Sequence, residues 1–212
     1  GPTAMLDVRS SRQVYPLGGL TTGQIFDAGS INIEADRGYL VVAPGATLDI
    51  RGISEAIQQP AGISDPGVLI DPVQHAAAGS LNLSTREGMF FFGNLLAGVP
   101  AGNPKRGGSV SVTMDPNGLE VDDNDVFQHP LAEPTIVLGS LGVAAGGPEA
   151  QNWQELGLSQ AFGTLSGGYL GEAWIDPQKL AASGIASLNV ASMPFSLERN
   201  LFTDSSKTTR LT

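Results

Sequence analysis

The chain has 212 residues, of which 28 are glycine, with only 15% charged and 6% aromatic side chains; this suits short strands and many turns and argues against a helical bundle. A hydrophobic fraction of 41% is too high for a disordered chain, and a formal net charge of −10 repels nucleic acid and anionic lipid. There is no cysteine, which excludes disulfides and thiolate metal sites, and no apolar run reaches the roughly 18 residues that a membrane-spanning helix needs.

Taken in chain order, Gly1-Pro2 has the look of a cleaved tag, so residues 1–5 are set outside the fold and 6–212 are read as one segment. Residues 29–52, GSINIEADRGYLVVAPGATLDIRG, then hold three short apolar runs separated by polar or glycine corners. In GSINI the apolar residues alternate, which puts Ile31 and Ile33 on one face and Ser30 and Asn32 on the other. Asp36-Arg37-Gly38 and Pro44-Gly45 read as corners. No hairpin signal joins these three runs, so each strand needs a partner from another unit.

The chain supplies such units. GSLNLSTREGMFFF (79–92) aligns on 29–42 without a gap, matching Leu81 to Ile31, Leu83 to Ile33, Gly88 to Gly38 and Phe90 to Leu40. GSVSVTMDPNGLEV (108–121) is a third copy, with Val110 and Val112 in the apolar places, and ASLNVASM (186–193) is a weaker fourth with Leu188 and Val190. One unit cannot bury its apolar face alone, but stacked units can, each strand pairing in parallel with its equivalent above and below. The expected fold is therefore all-β, a right-handed parallel β-helix with loop and short-helix excursions. Within MFFF the ungapped alignment sends Phe90 and Phe92 inward and Phe91 outward.

Two segments depart from the repeat. Residues 53–78 are irregular, contain Pro60, Pro66 and Pro72, and read as a turn with an outward loop. Residues 142–170 read as a second excursion, with helical spacing of Trp153, Leu156, Leu158 and Phe162. Asp176-Pro177 followed by Gly184 reads as a short helix with an N-cap, proline in its first turn and a glycine stop.

Residues 29–52 closely resemble the repeat unit of filamentous haemagglutinin-type large exoproteins, the secreted partners of bacterial two-partner secretion, whose signature runs G-S-(I/L)-x-(I/L) and then A-D-R-G-x-L-V-V-A-P-G-A-x-L-D-(I/V)-x-G. WIDPQKLAASGIASLNVAS (174–192) is similar to a later segment of such proteins; together the matches cover about a third of the chain. The resemblance implies a β-helical shaft, secreted or on the bacterial outer surface. Its implied roles are adhesion, association with a biofilm matrix, or carriage of a toxin tip in contact-dependent inhibition. The implied partners are an outer-membrane transporter during secretion and a host-cell receptor, a matrix polysaccharide or a neighbouring-cell receptor, with no membrane insertion. No catalytic residues come with it, and no enzyme activity is expected.

Two other classes stay open. A carbohydrate-active β-helix enzyme needs carboxylates facing one groove. Adjacent Asp122 and Asp123 would point to opposite faces of a strand, and the Asn-Thr-Asp, Gly-His-Gly and Arg-Ile-Lys motifs of polygalacturonases are missing. The two histidines, His75 and His129, sit beside Gln74 and Pro130 and read as surface or loop residues. A glycan- or receptor-binding module would carry its specificity in the 142–170 excursion. The loop VDDNDVF (121–127) brings Asp122, Asp123 and Asp125 together with Asn124. These oxygens could hold Ca²⁺, although the spacing is not that of an EF-hand and the plainer reading is a solvated acidic turn between coils. No other cofactor is indicated.

Overall fold

The computed structural model describes residues 3–17, 20–36, 39–60, 68–86, 88–115, 134–138 and 171–192. The fold is all-β, built around three parallel sheets that the chain visits in turn. The first sheet stacks β4 (Ser30–Ala35), β11 (Ser80–Thr85), β14 (Ser109–Met114) and β17 (Ser187–Ser192). Its register sets Ile31, Leu81, Val110 and Leu188 in one column and Ile33, Leu83, Val112 and Val190 in the next. These are the four sequence copies, paired as the alternation requires.

The second sheet holds β5 (Tyr39–Val42), β12 (Gly88–Phe91), β16 (Glu172–Ile175) and β15 (Thr135–Leu138), in that spatial order. The later segment β16 lies between β12 and the earlier β15, so the chain passes one level beyond the stack before coming back to fill it. The third sheet contains β1 (Met5–Asp7), β6 (Thr47–Asp49) and β13 (Asn94–Leu96). Met5, set outside the fold by the sequence reading, opens β1 and lies opposite Thr47.

Beyond β13 the next level is closed by a helix, α1 (Pro177–Ala182). Asp176 caps it as expected, its carboxylate accepting from the Gln178 and Lys179 amides at 2.9 and 3.3 Å, and Gly184 ends it at φ +82°. Lys179 Nζ donates to the Phe92 carbonyl at 2.9 Å, and the Ala97 amide donates to Ser183 O at 2.8 Å, which seats the helix against the stack. The core between the sheets is apolar: Ile50, Leu81, Met89 and Met114 are fully enclosed, with Leu48, Val112, Phe91 and Ile136 around them.

Two antiparallel hairpins leave this stack from the corner between the third and first sheets. One pairs β2 (Ser11–Leu17) with β3 (Leu20–Phe26). The other lies inside 53–78, where an irregular outward loop was expected. It pairs β7 (Ser54–Ala56) with β10 (Val73–His75), and β8 (Gln59–Pro60) with β9 (Leu69–Ile70). Period-2 patterning in such short pieces is too brief to separate a strand from a loop.

The inward register of MFFF is the reverse of the expectation. Gly88 lies opposite Tyr39 and Met89 opposite Leu40, so Phe91 faces the core while Phe90 and Phe92 lie in a separate outer cluster with Trp174. The cause is corner length. Three residues link β4 to β5, but only two link β11 to β12. The tighter corner is closed by buried Thr85, whose hydroxyl donates to the Gly88 carbonyl at 2.8 Å. A one-residue slip sends every following side chain to the other face.

Candidate interaction surface

The outward face of the first sheet is a polar ladder. Ser30, Ser80, Ser109 and Ser187 form one column, and Asn32, Asn82, Ser111 and Asn189 the next. Ser30 and Ser80 share a hydrogen bond of 2.7 Å, and Asn82 Nδ2 donates to Asn32 Oδ1 at 2.6 Å. Strands spaced about 4.8 Å apart thus present hydroxyls and amides at a fixed step. In the third outward column, Glu34, Ser84, Thr113 and Ala191, only Glu34 is charged. Such a face offers hydrogen bonds in a repeating geometry.

The hairpin corner is built from charge pairs and backbone bonds. Arg12 of β2 meets Glu55 of β7 at 2.6 Å, and a parallel bridge joins Thr22 to Gln58, so the two hairpins lie side by side. At the base of the second hairpin the Ala76 amide donates to Ile53 O, and Asn103 Nδ2 donates to both Ile53 O and Ala76 O at 3.1 and 3.0 Å. His75 lies half-buried in β10, not in a loop, and its Nδ1 shares a 2.9 Å hydrogen bond with Ser54 Oγ across the strand pair.

The same corner carries a repeat that the sequence reading passed over. Leu6-Asp7-Val8-Arg9 and Leu48-Asp49-Ile50-Arg51 are stacked, with Asp7 opposite Asp49. Each aspartate accepts the backbone amide two residues on, at 3.1 Å, and pairs with the arginine there, at 3.2 Å for Asp7–Arg9 and 2.6 Å for Asp49–Arg51. Asp49 is wholly shielded from solvent, with Arg51 folded back over it. Burial pushes its carboxyl pKa up, but the hydrogen bonds and charge of Arg51, with a contribution from Arg9, together hold it below its ordinary value. The Arg51 pKa is raised in return, chiefly by its hydrogen bond to Asp49.

The outward face of the second sheet is aromatic and covered. Tyr39 stacks on Phe90 with ring centroids 5.3 Å apart, and Phe90 on Phe92 at 6.2 Å. Trp174 joins this cluster and donates its indole N–H to Glu172 at 2.6 Å. Gly88 is required beneath it, because a Cβ there would run into the Tyr39 ring.

Asp122, Asp123 and Asp125, the residues read as a candidate Ca²⁺ loop, lie outside the described residues, as do His129 and the 142–170 excursion. Among the described residues no three His, Asp or Glu side chains gather as metal ligands, and no helix is long and apolar enough to cross a membrane. Comparison with protein-family models, with curated proteins and with solved structures finds no significant match to this chain.

Proposed function

We propose that the three parallel sheets form a right-handed parallel β-helix, and that the chain is a shaft segment of a large bacterial secreted or cell-surface exoprotein of the filamentous haemagglutinin type. Its role is structural and adhesive, without an active site. The observation that carries this reading is the in-register stacking of all four G/A-S-φ-x-φ copies, where φ is an apolar residue, in one parallel sheet. Such a stack holds polar ladders and hairpins at fixed positions along a rigid core, which suits a surface that presents contacts and performs no chemistry. An outer-membrane transporter carries the chain out of the cell, and a host-cell receptor, a neighbouring-cell receptor or matrix polysaccharide is what it meets there.

The test is surface labelling of intact cells of the source bacterium with an antibody raised against the chain. Labelling is expected, and is expected to vanish when the transporter gene is deleted. Label found only after lysis would overturn the reading. The loop of Asp122, Asp123 and Asp125 is tested separately: a Ca²⁺ site raises the melting temperature in millimolar Ca²⁺ and not in Mg²⁺, and no shift or an equal shift removes it.

A further inference from the structure

The β2–β3 hairpin has one face that the stack does not use. Its register sets Ser11 opposite Phe26, Gln13 opposite Gln24 and Tyr15 opposite Thr22, all on the same side. The opposite side carries half-buried Val14 and Ile25, with Arg12 turned to Glu55 of the neighbouring hairpin. The first face is therefore the solvent face, yet it holds two large aromatics. Tyr15 is 46% exposed and Phe26 42%, while Tyr39, Phe90, Phe91, Phe92 and Trp174 are buried or half-buried. Exposed Gln13 and Gln24 lie between the two rings. With a rise of about 3.4 Å per residue, the rings stand about 14 Å apart along the hairpin.

We infer that this face is a binding strip for a neutral polysaccharide, in which Tyr15 and Phe26 stack under sugar rings and Gln13 and Gln24 hydrogen-bond the hydroxyls between them. A pyranose ring has an apolar C–H face, which packs on an aromatic ring, and a rim of hydroxyls that both donate and accept. A glutamine side chain also does both. Ser11, Gln13, Tyr15, Thr22, Gln24 and Phe26 include no charged side chain, so nothing on the strip selects a charged ligand. The net charge of −10 on the whole chain disfavours acidic polymers, nucleic acid and anionic lipid. An uncharged glycan matches the strip in both respects, with apolar ring faces for Tyr15 and Phe26 and hydroxyls for Gln13 and Gln24. This deepens the matrix-polysaccharide contact proposed above and rests on it.

The test is electrophoresis of the full chain in native gels containing glucomannan, hydroxyethylcellulose or laminarin, with polygalacturonate as the acidic comparison. Retardation is expected in at least one neutral gel and not in polygalacturonate. The Tyr15→Ala/Phe26→Ala double variant is expected to lose it with an unchanged melting temperature. Tyr15→Phe is expected to keep it, and Gln13→Ala/Gln24→Ala to weaken affinity at least tenfold. No retardation in any neutral gel, equal retardation in polygalacturonate, or retardation that survives the double alanine variant overturns the strip. Those outcomes leave the shaft reading standing, because that reading is tested by transporter-dependent surface labelling, which does not involve Tyr15 or Phe26.

Discussion

Gly79 sits where the second unit of the stack lies on the first, and a side chain there would collide with the carbonyl oxygen of Gly29. Both contacting groups are backbone, so neither can swing aside. Gly79→Ala is expected to cost about 1–3 kcal/mol, as overpacking of a tight core does, and to lower the urea midpoint accordingly. Gly102→Ala is the wrong control, since its φ of +81° brings backbone strain of its own. Gly98→Ala is better, because its nearest non-neighbour atoms are 3.7 Å away. Asp49 gives a second test. Its folded pKa is depressed, so its pair with Arg51 stabilises the fold above the unfolded carboxyl value of about 3.9 and loses that contribution as pH falls through the folded value. The wild type should exceed Asp49→Asn in urea midpoint at pH 7, and the gap should close as the pH is taken well below 3.9. A gap that persists with the carboxyl protonated would show that charge is not what matters there. The pair was open to a reader of the sequence, because LDVR and LDIR recur 42 residues apart. The first copy is only four residues long and has no G-S-φ-x-φ strand ahead of it to mark it as part of a unit.

An element-scale test uses the alternation in β11. Leu81 is fully buried and Asn82 exposed. Leu81→Asp would place an unpaired carboxylate in the apolar column, at a cost of several kcal/mol against a total domain stability of about 5–15 kcal/mol, and should unfold or aggregate the protein. Asn82→Asp changes the outer ladder, where the Asn32 amide can turn to donate to the new carboxylate, and should cost about 0.5 kcal/mol. Circular dichroism and melting temperature separate the two, and Ile31 with Asn32 should behave alike. Tolerance of Leu81→Asp would mean that this strand is not core. The alternation was legible here because it runs through four copies with nothing inserted inside any strand. It misled in β12, where the same reasoning crossed a corner. A corner is free to gain or lose a residue, so register can be read within a strand and not carried past a turn. The β2–β3 hairpin had a readable signal as well: Gly18-Gly19 separates its two strands by two residues. The insertion of β16 between β12 and β15 had none, since a parallel pairing across such a sequence gap leaves no local pattern.

At the scale of the whole molecule the stack and its excursions should be separable. The second hairpin leaves between Ile53 and Ala76, and these two residues are already hydrogen-bonded, Ala76 N to Ile53 O, at 2.9 Å. That is the closing bond of a four-residue turn, so replacing 54–75 by Asn-Gly would join the strands with a tight turn of the type that favours this dipeptide. The next such corner supports the idea, because the chain passes from β13 to β14 through residues 97–108 with no hairpin at all. The losses are the exposed Arg12–Glu55 pair, worth about 0.2–1 kcal/mol, the Thr22–Gln58 bridge, and the cover that buried Ile57 gives its neighbours. A total of about 3 kcal/mol corresponds to a fall in melting temperature of about 6–12 °C for a chain of this size. The shortened protein should therefore keep its far-ultraviolet spectrum and a single cooperative melt. Removing 80–85 instead takes out the strand that pairs with both β4 and β14, and neither remaining strand can reach the other without shifting a whole level of the stack. That deletion should abolish the transition. Equal damage from the two deletions would mean that the hairpins are structural members of the core and not contacts carried on it.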